Sequence, residues 1–186
     1  MKKDINQYWK DYKEIYSFEE ILKIFRERKA LEYMNKLKPK KVLEIGCGFS
    51  PLFNTYKNFS QFTVVEPGGK AFNNAIKRSK ENDSIRCIND YFENSLDILK
   101  KQNYDFITST GVLHETETPE LFLKNIGKLS NMKTIIYLNV PNAKSLHRLI
   151  AQEAGIIKNI YEKTDRNKLL SQNNIFCKDT LKELIT

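Results

Sequence analysis

The chain has 186 residues, 40% hydrophobic and 29% charged, with 31 basic side chains against 23 acidic and a net charge of +8. That is the length of one domain with enough apolar residues to bury a core, and the balance excludes a low-complexity chain. No apolar run approaches the roughly 18 residues of a membrane helix.

The N-terminal MKKDINQYWK has two lysines and no apolar stretch behind them. No signal peptide is expected, and the cytoplasm is the expected location. Cys47, Cys87 and Cys177 are odd in number and far apart. They read as reduced small hydrophobes, with neither a disulfide framework nor a metal site. The basic balance raises nucleic acid as a partner, but the lysines are spread along the chain. The one dense run, Lys36 to Lys41, reads as a solvated linker ahead of a strand.

The first forty residues read as a helical cap. Ser17-Phe18-Glu19-Glu20 has the form of a capping box, and Phe18, Ile21, Leu22 and Phe25 follow at helical spacing, continued by Leu31, Met34 and Leu37. Pro39 marks the end. Between 41 and 140 short runs rich in β-branched and aromatic residues alternate with amphipathic stretches. The runs are 42–45, 62–65, 85–88, 104–108 and 134–138, and helices are expected near 51–58, 69–80, 93–101 and 119–130. Ser50-Pro51 and Thr118-Pro119 place a cap residue before a proline at the first helical position. Such alternation predicts an α/β fold, a mostly parallel, doubly wound sheet with helices on both faces. After Pro141 helices are expected again, one capped by Asn142 and a last one from Asp179. The three stretches form one domain.

The chemistry concentrates in Val42-Leu43-Glu44-Ile45-Gly46-Cys47-Gly48, a strand running into a turn with two glycines. Glycines there let the backbone turn sharply and a ligand lie against it. About 20 residues later the second run ends in Glu66-Pro67, where an acid can grip ribose hydroxyls. Together they predict an adenosine-containing cofactor. The third glycine of a dinucleotide fingerprint is Pro51, and Glu44 would oppose a pyrophosphate. A Walker loop fails at Val64 and Ala71. S-adenosylmethionine has no phosphate, and its sulfonium and ammonium are favoured by a nearby carboxylate.

With these residues in place the chain resembles the class I (Rossmann-like) S-adenosylmethionine-dependent methyltransferases over about residues 30–150, in the bacterial small-molecule style. The resemblance implies sheet order 3-2-1-4-5. It implies that the backbone of Gly46, Cys47 and Gly48 packs against the methionine portion and that Glu44 attracts its cationic end. Glu66, followed by Pro67, takes the ribose. In Asn89-Asp90-Tyr91, Asp90 holds the adenine edge while a neighbour flanks the ring. The end of the fourth strand, Ser109-Thr110, and the loop Gly111-Val112-Leu113-His114 face cofactor and substrate. Glu44 and Asp90 could equally be loop acids capping nearby backbone groups.

A hydroxyl acceptor needs a base to take its proton. His114 and, more weakly, Glu115 are the candidates, although relatives often carry Glu-His where this chain has His-Glu. Asn142, His147 and Arg148 resemble a segment after the fifth strand that could line an acceptor pocket. Tyr8, Trp9 and Tyr12 could fold over the cofactor as a lid or pack against helices. Arg26 and Arg28 could reach an anionic acceptor. The expected function is methyl transfer to a small molecule such as a sugar hydroxyl. The alternatives are an RNA methyltransferase, against which Ser109-Thr110-Gly111-Val112 speaks at the base-modifying motif's position, and a non-catalytic partner subunit. The family's C-terminal strand hairpin is not expected in this stretch of sequence, either because the sheet stops early or because the form is truncated. The fifth strand is therefore expected to be an open edge, covered by residues 155–178, a second copy or a partner chain.

Overall fold

The structure is a computed structural model and describes residues 19–185. Tyr8, Trp9, Tyr12 and the Ser17-Phe18 half of the expected capping box lie outside the described residues. The elements in chain order are α1 (Glu19–Leu37), β1 (Lys41–Ile45), β2 (Gln61–Val65), α2 (Gly69–Ser79), β3 (Ile85–Ile88), α3 (Leu96–Leu99), β4 (Phe106–Thr110), α4 (Pro119–Lys128), β5 (Ile135–Asn139), α5 (Leu146–Glu153), α6 (Asp165–Leu169) and α7 (Lys178–Ile185).

The five strands form one parallel sheet in the expected order β3-β2-β1-β4-β5. Leu43 sits beside Thr63 on one side and Ile107 on the other. Successive side chains of a strand point to opposite faces, so β1 supplies two cores. Leu43 and Ile45 join Ile107, Phe122 and Ile126 on one face. Val42 joins Phe62, Phe106, Ala30 and Met34 on the other. The near-continuous burial of β1, β2 and β4 follows from cover on both faces.

Several local expectations shift. Residues 51–58 form only a 3-10 turn at Leu52–Asn54. The Glu44 carboxylate accepts the Leu52 N–H at 3.0 Å and the Tyr56 hydroxyl donates to the Pro39 carbonyl at 2.8 Å, which pins the stretch in a tight turn. The strand expected at 104–108 runs 106–110, because Tyr104 is buried in the core and Asp105 accepts the N–H groups of Lys40 and Lys41. The apolar face expected for α1 is buried only in its later turns, where Met34 enters the core and Leu31 packs against it. Ala30 and Met34 are fully buried, whereas Ile21, Leu22 and Phe25 are exposed. The helix expected from Asn142 starts after Ser145. Asn142 instead accepts the Lys144 N–H within its own turn.

Among the described residues β5 pairs only with β4, and Ile135 and Ile136 are exposed. Residues 155–178 do not pair with that edge. Their one β-bridge joins Phe176 to Asn142, past the end of β5. No helix among the described residues is long and apolar enough to cross a membrane.

Candidate functional site

The carboxyl ends of β1, β2 and β4 open onto one cavity of about 1870 Å³. Binding at this edge is the general rule for open α/β sheets. The turn after β1 is possible because Gly46 and Gly48 adopt φ of +75° and +53°, a region that side-chain-bearing residues avoid. A Cβ built on Gly46 would also overlap Val112 Cγ2 in the loop after β4.

Two carboxylates hold this turn. Glu66, at the tip of β2, accepts the Gly48 N–H at 2.9 Å on one oxygen and the Gly68 N–H at 2.7 Å on the other. Glu44 accepts from Leu52. Both are only 3% exposed, and neither is paired with a basic side chain among the described residues. Burial therefore pushes both carboxyls up, Glu44 to about 8. Cys47 adds weaker hydrogen bonds to the same carboxyl. Burial raises the Cys47 thiol as well, so it is an inert wall residue.

Beside the glycine turn, the loop after β4 carries His114 and Glu115 in a 3-10 turn on the same cavity. His114 is buried, with Nε2 3.9 Å from Glu115 Oε1. Pro67, Tyr91, Thr110, Asn142, His147 and Arg148 line the same cavity.

A family model described as a methyltransferase domain matches residues 11–183. The chain belongs to this methyltransferase family. No curated protein matches it significantly. Among solved structures, the plantazolicin methyltransferase BpumL, crystallised with a monoazolic desmethylPZN analog and SAH, is 17% identical over 96% of this chain and 66% of its own, with a TM-score of 0.60. An S-adenosylmethionine-dependent methyltransferase from Clostridium acetobutylicum is 11% identical over 67% of this chain and 52% of its own, at 0.53. The N-methyltransferase NodS from Bradyrhizobium japonicum is 16% identical over 78% of this chain and 80% of its own, at 0.50. Such likeness establishes the class I methyltransferase fold. The chain spans 66% of the length of BpumL.

Not every expected site residue of this member of the family faces the cavity. Asn89 and Asp90 stand beside it. The Asn89 amide donates to the Glu66 carbonyl at 2.9 Å and to that of Pro67 at 3.3 Å. Asp90 accepts from the Tyr91 N–H and the Asn94 amide, both at 2.7 Å. Asn89 ties the end of β3 to that of β2, and Asp90 holds the turn after β3. Ser109 is buried within β4, away from the wall, and its hydroxyl has no partner among the described residues. Arg148 reaches the wall, but its guanidinium donates to the carbonyls of Ile160 and Glu162 at 2.8 and 2.6 Å. Arg26 lines the cavity and Arg28 does not.

Sequence reasoning missed two parts of the wall. Leu22 and Phe25 of α1 face it with the apolar Ile156, and Gln172, Asn173 and Asn174 form a polar rim. The exposed apolar residues of α1 carried a signal that pattern reading assigned to the core. The rim has none, because its residues lie between short helices.

Proposed function

We propose that this methyltransferase binds S-adenosylmethionine across the Gly46–Gly48 turn and transfers its methyl group to a small-molecule or peptidic acceptor. The observation that carries this reading is the pair of buried, uncompensated carboxylates, Glu44 and Glu66, flanking a glycine turn in one cavity. Such carboxylates suit a ligand that brings positive charge and hydroxyls and no phosphate. The fit supports Gly46, Cys47 and Gly48 as the surface under the methionine portion, Glu44 as the counter-charge, Glu66 as the ribose acceptor, and Tyr91 and Thr110 as neighbours.

The cofactor supplies the activated methyl and its own leaving group. The chain must then orient the acceptor, exclude water and receive a proton. His114 is the proposed proton acceptor, with the Glu115 carboxylate near its Nε2. The cavity exceeds the roughly 300–1000 Å³ of an ordinary small-ligand site, which leaves room for an acceptor larger than a single sugar. A sugar hydroxyl, expected from the segment after β5, gains no support, since Arg148 there is occupied with backbone carbonyls.

Among the described residues cations do not dominate the cavity wall: Lys23, Arg26, Arg148 and Arg166 are matched by Glu27, Glu93, Glu115 and Glu117, although the whole chain carries +8. A phosphate backbone binds where cations dominate. Calorimetry with S-adenosylmethionine, its demethylated product, NAD and ATP tests the reading. The first two should bind one per chain and the last two should not. Binding of NAD or ATP in their place would overturn it.

A further inference from the structure

The loop that carries His114 and Glu115 is held from outside by two asparagines. Within the loop, the Glu115 N–H donates to the Val112 carbonyl and the Thr116 N–H to that of Leu113. The carbonyls of three consecutive residues then point away from the turn, and residues 173–174 meet all three. The Asn174 N–H donates to the His114 carbonyl at 3.0 Å. The Asn173 amide donates to the Glu115 carbonyl at 3.3 Å, and the Asn174 amide to the Thr116 carbonyl at 2.7 Å.

The clasp is itself anchored on both flanks. On one side the Asn167 amide donates to the buried Gln172 side chain at 2.8 Å, and the Gln172 N–H returns to the Asn167 carbonyl at 2.8 Å. Asn167 also closes the capping box of α6 with Thr164. On the other side Phe176 enters the core beneath the sheet, and its carbonyl accepts the Ala143 N–H at 2.6 Å. A segment fixed at both ends defines where the loop between it and β4 can sit.

We propose that Asn174, assisted by Asn173, is a positioning residue that sets the 113–116 loop and thereby places His114 and Glu115 at the acceptor end of the cavity. The inference rests on the reading of that loop as the transfer face, but its test does not require an acceptor. The chain has two histidines, His114 and His147. Isotope-labelled histidine therefore gives two ring signals, assigned with His147→Gln. Asn174→Asp keeps the size of the side chain and removes the amide donor.

In the cofactor-free protein, Asn174→Asp should shift and broaden the His114 signal while His147 stays in place. Amide exchange over 113–117 should accelerate about tenfold, the loss of one hydrogen bond. Asn173→Ala, which loses one exposed bond, should move the same signal less, and it serves as the test if Asn174→Asp does not fold. A His114 signal unchanged in the variant that folds, or both histidines moving together, would overturn the proposal. Titration of the wild type with the demethylated cofactor separates this outcome from the previous one. If the cofactor fails to bind, the proposed function falls, whereas the response of His114 to Asn174 is still read.

Discussion

Val112 stands where a side chain on Gly46 would have to go. The turn after β1 and the loop after β4 are therefore fitted to one another across the sheet, and the fit holds only while residue 46 has no Cβ. Gly46→Ala meets two penalties: the +75° φ, disfavoured for residues with a Cβ by about 1–2 kcal/mol, and overpacking against Val112, about 1–3 kcal/mol. The variant should lower the urea midpoint and lose cofactor affinity. Adding Val112→Ala should recover the packing share and leave the backbone share. Full recovery in the double variant would show that backbone strain contributes nothing.

Glu44 gives the protein a pH dependence with a defined sign. Its carboxyl titrates near 8 when folded, against about 4.5 in the open chain. Between these values the unfolded chain is ionised while the folded site keeps its proton, so ionisation favours unfolding. The stability that Glu44 contributes should be fully present below about 4.5 and should be lost as pH rises towards 8. Glu44→Gln should flatten that slope in part, since burial raises Glu66 in the same direction. Urea midpoints measured across the window check this; a slope identical in wild type and Glu44→Gln contradicts it.

The same carboxyl should couple cofactor binding to a proton. A cationic ligand favours the ionised acid, so S-adenosylmethionine should bind more tightly as pH rises from 6 to 8 and release a proton on binding. The demethylated product lacks the sulfonium and should show a weaker dependence. Calorimetry in buffers of different ionisation enthalpy reads the released proton directly. Equal proton release for the two ligands would remove Glu44 as the counter-charge of the sulfonium.

Glu66→Ala removes an acceptor used by the N–H groups of Gly48 and Gly68 as well as the proposed ribose contact. Affinity for the demethylated product should fall by about 1–3 kcal/mol, the cost of orphaning buried partners. Glu66→Gln restores one acceptor oxygen and should recover part of the loss. Unchanged affinity in Glu66→Ala would refute the contact.

The parallel sheet and its order were legible because β-branched runs and the glycine turn are local signals, and the resemblance supplied the topology. Glu44, Gly46, Gly48 and Glu66 were legible for the same reason, since each lies at a strand end. What stayed hidden depends on contacts distant in sequence. Phe25 has the spacing of a core residue and lines a cavity, because α1 rests on the sheet only through its later turns. Asp90 was expected either at the adenine edge or as a loop acid capping nearby groups; one of its oxygens accepts from Tyr91 and Asn94 in a local turn that a strand-end pattern does not reveal. Asn173 and Asn174 gain their role from a loop almost sixty residues earlier in the chain.

Arg148 separates a wall residue from a binding residue. Its guanidinium bridges the carbonyls of Ile160 and Glu162, so it ties α5 to the segment that leads into α6. A planar fork can serve two carbonyls at once, whereas a lysine ammonium on a different stem cannot reproduce that geometry. Arg148→Ala should cost about 1.5–3 kcal/mol of stability, as expected for hydrogen bonds from a charged group, and should speed amide exchange between 156 and 164. Arg148→Lys should recover less than half of that loss. Affinity for the demethylated cofactor should not change in either variant, because the guanidinium is spent on the carbonyls of Ile160 and Glu162 and has no hydrogen bond to Glu44 or Glu66. If both variants fold with unaltered stability and exchange, and lose only acceptor turnover, the guanidinium contacts the acceptor and its carbonyl bonds are incidental.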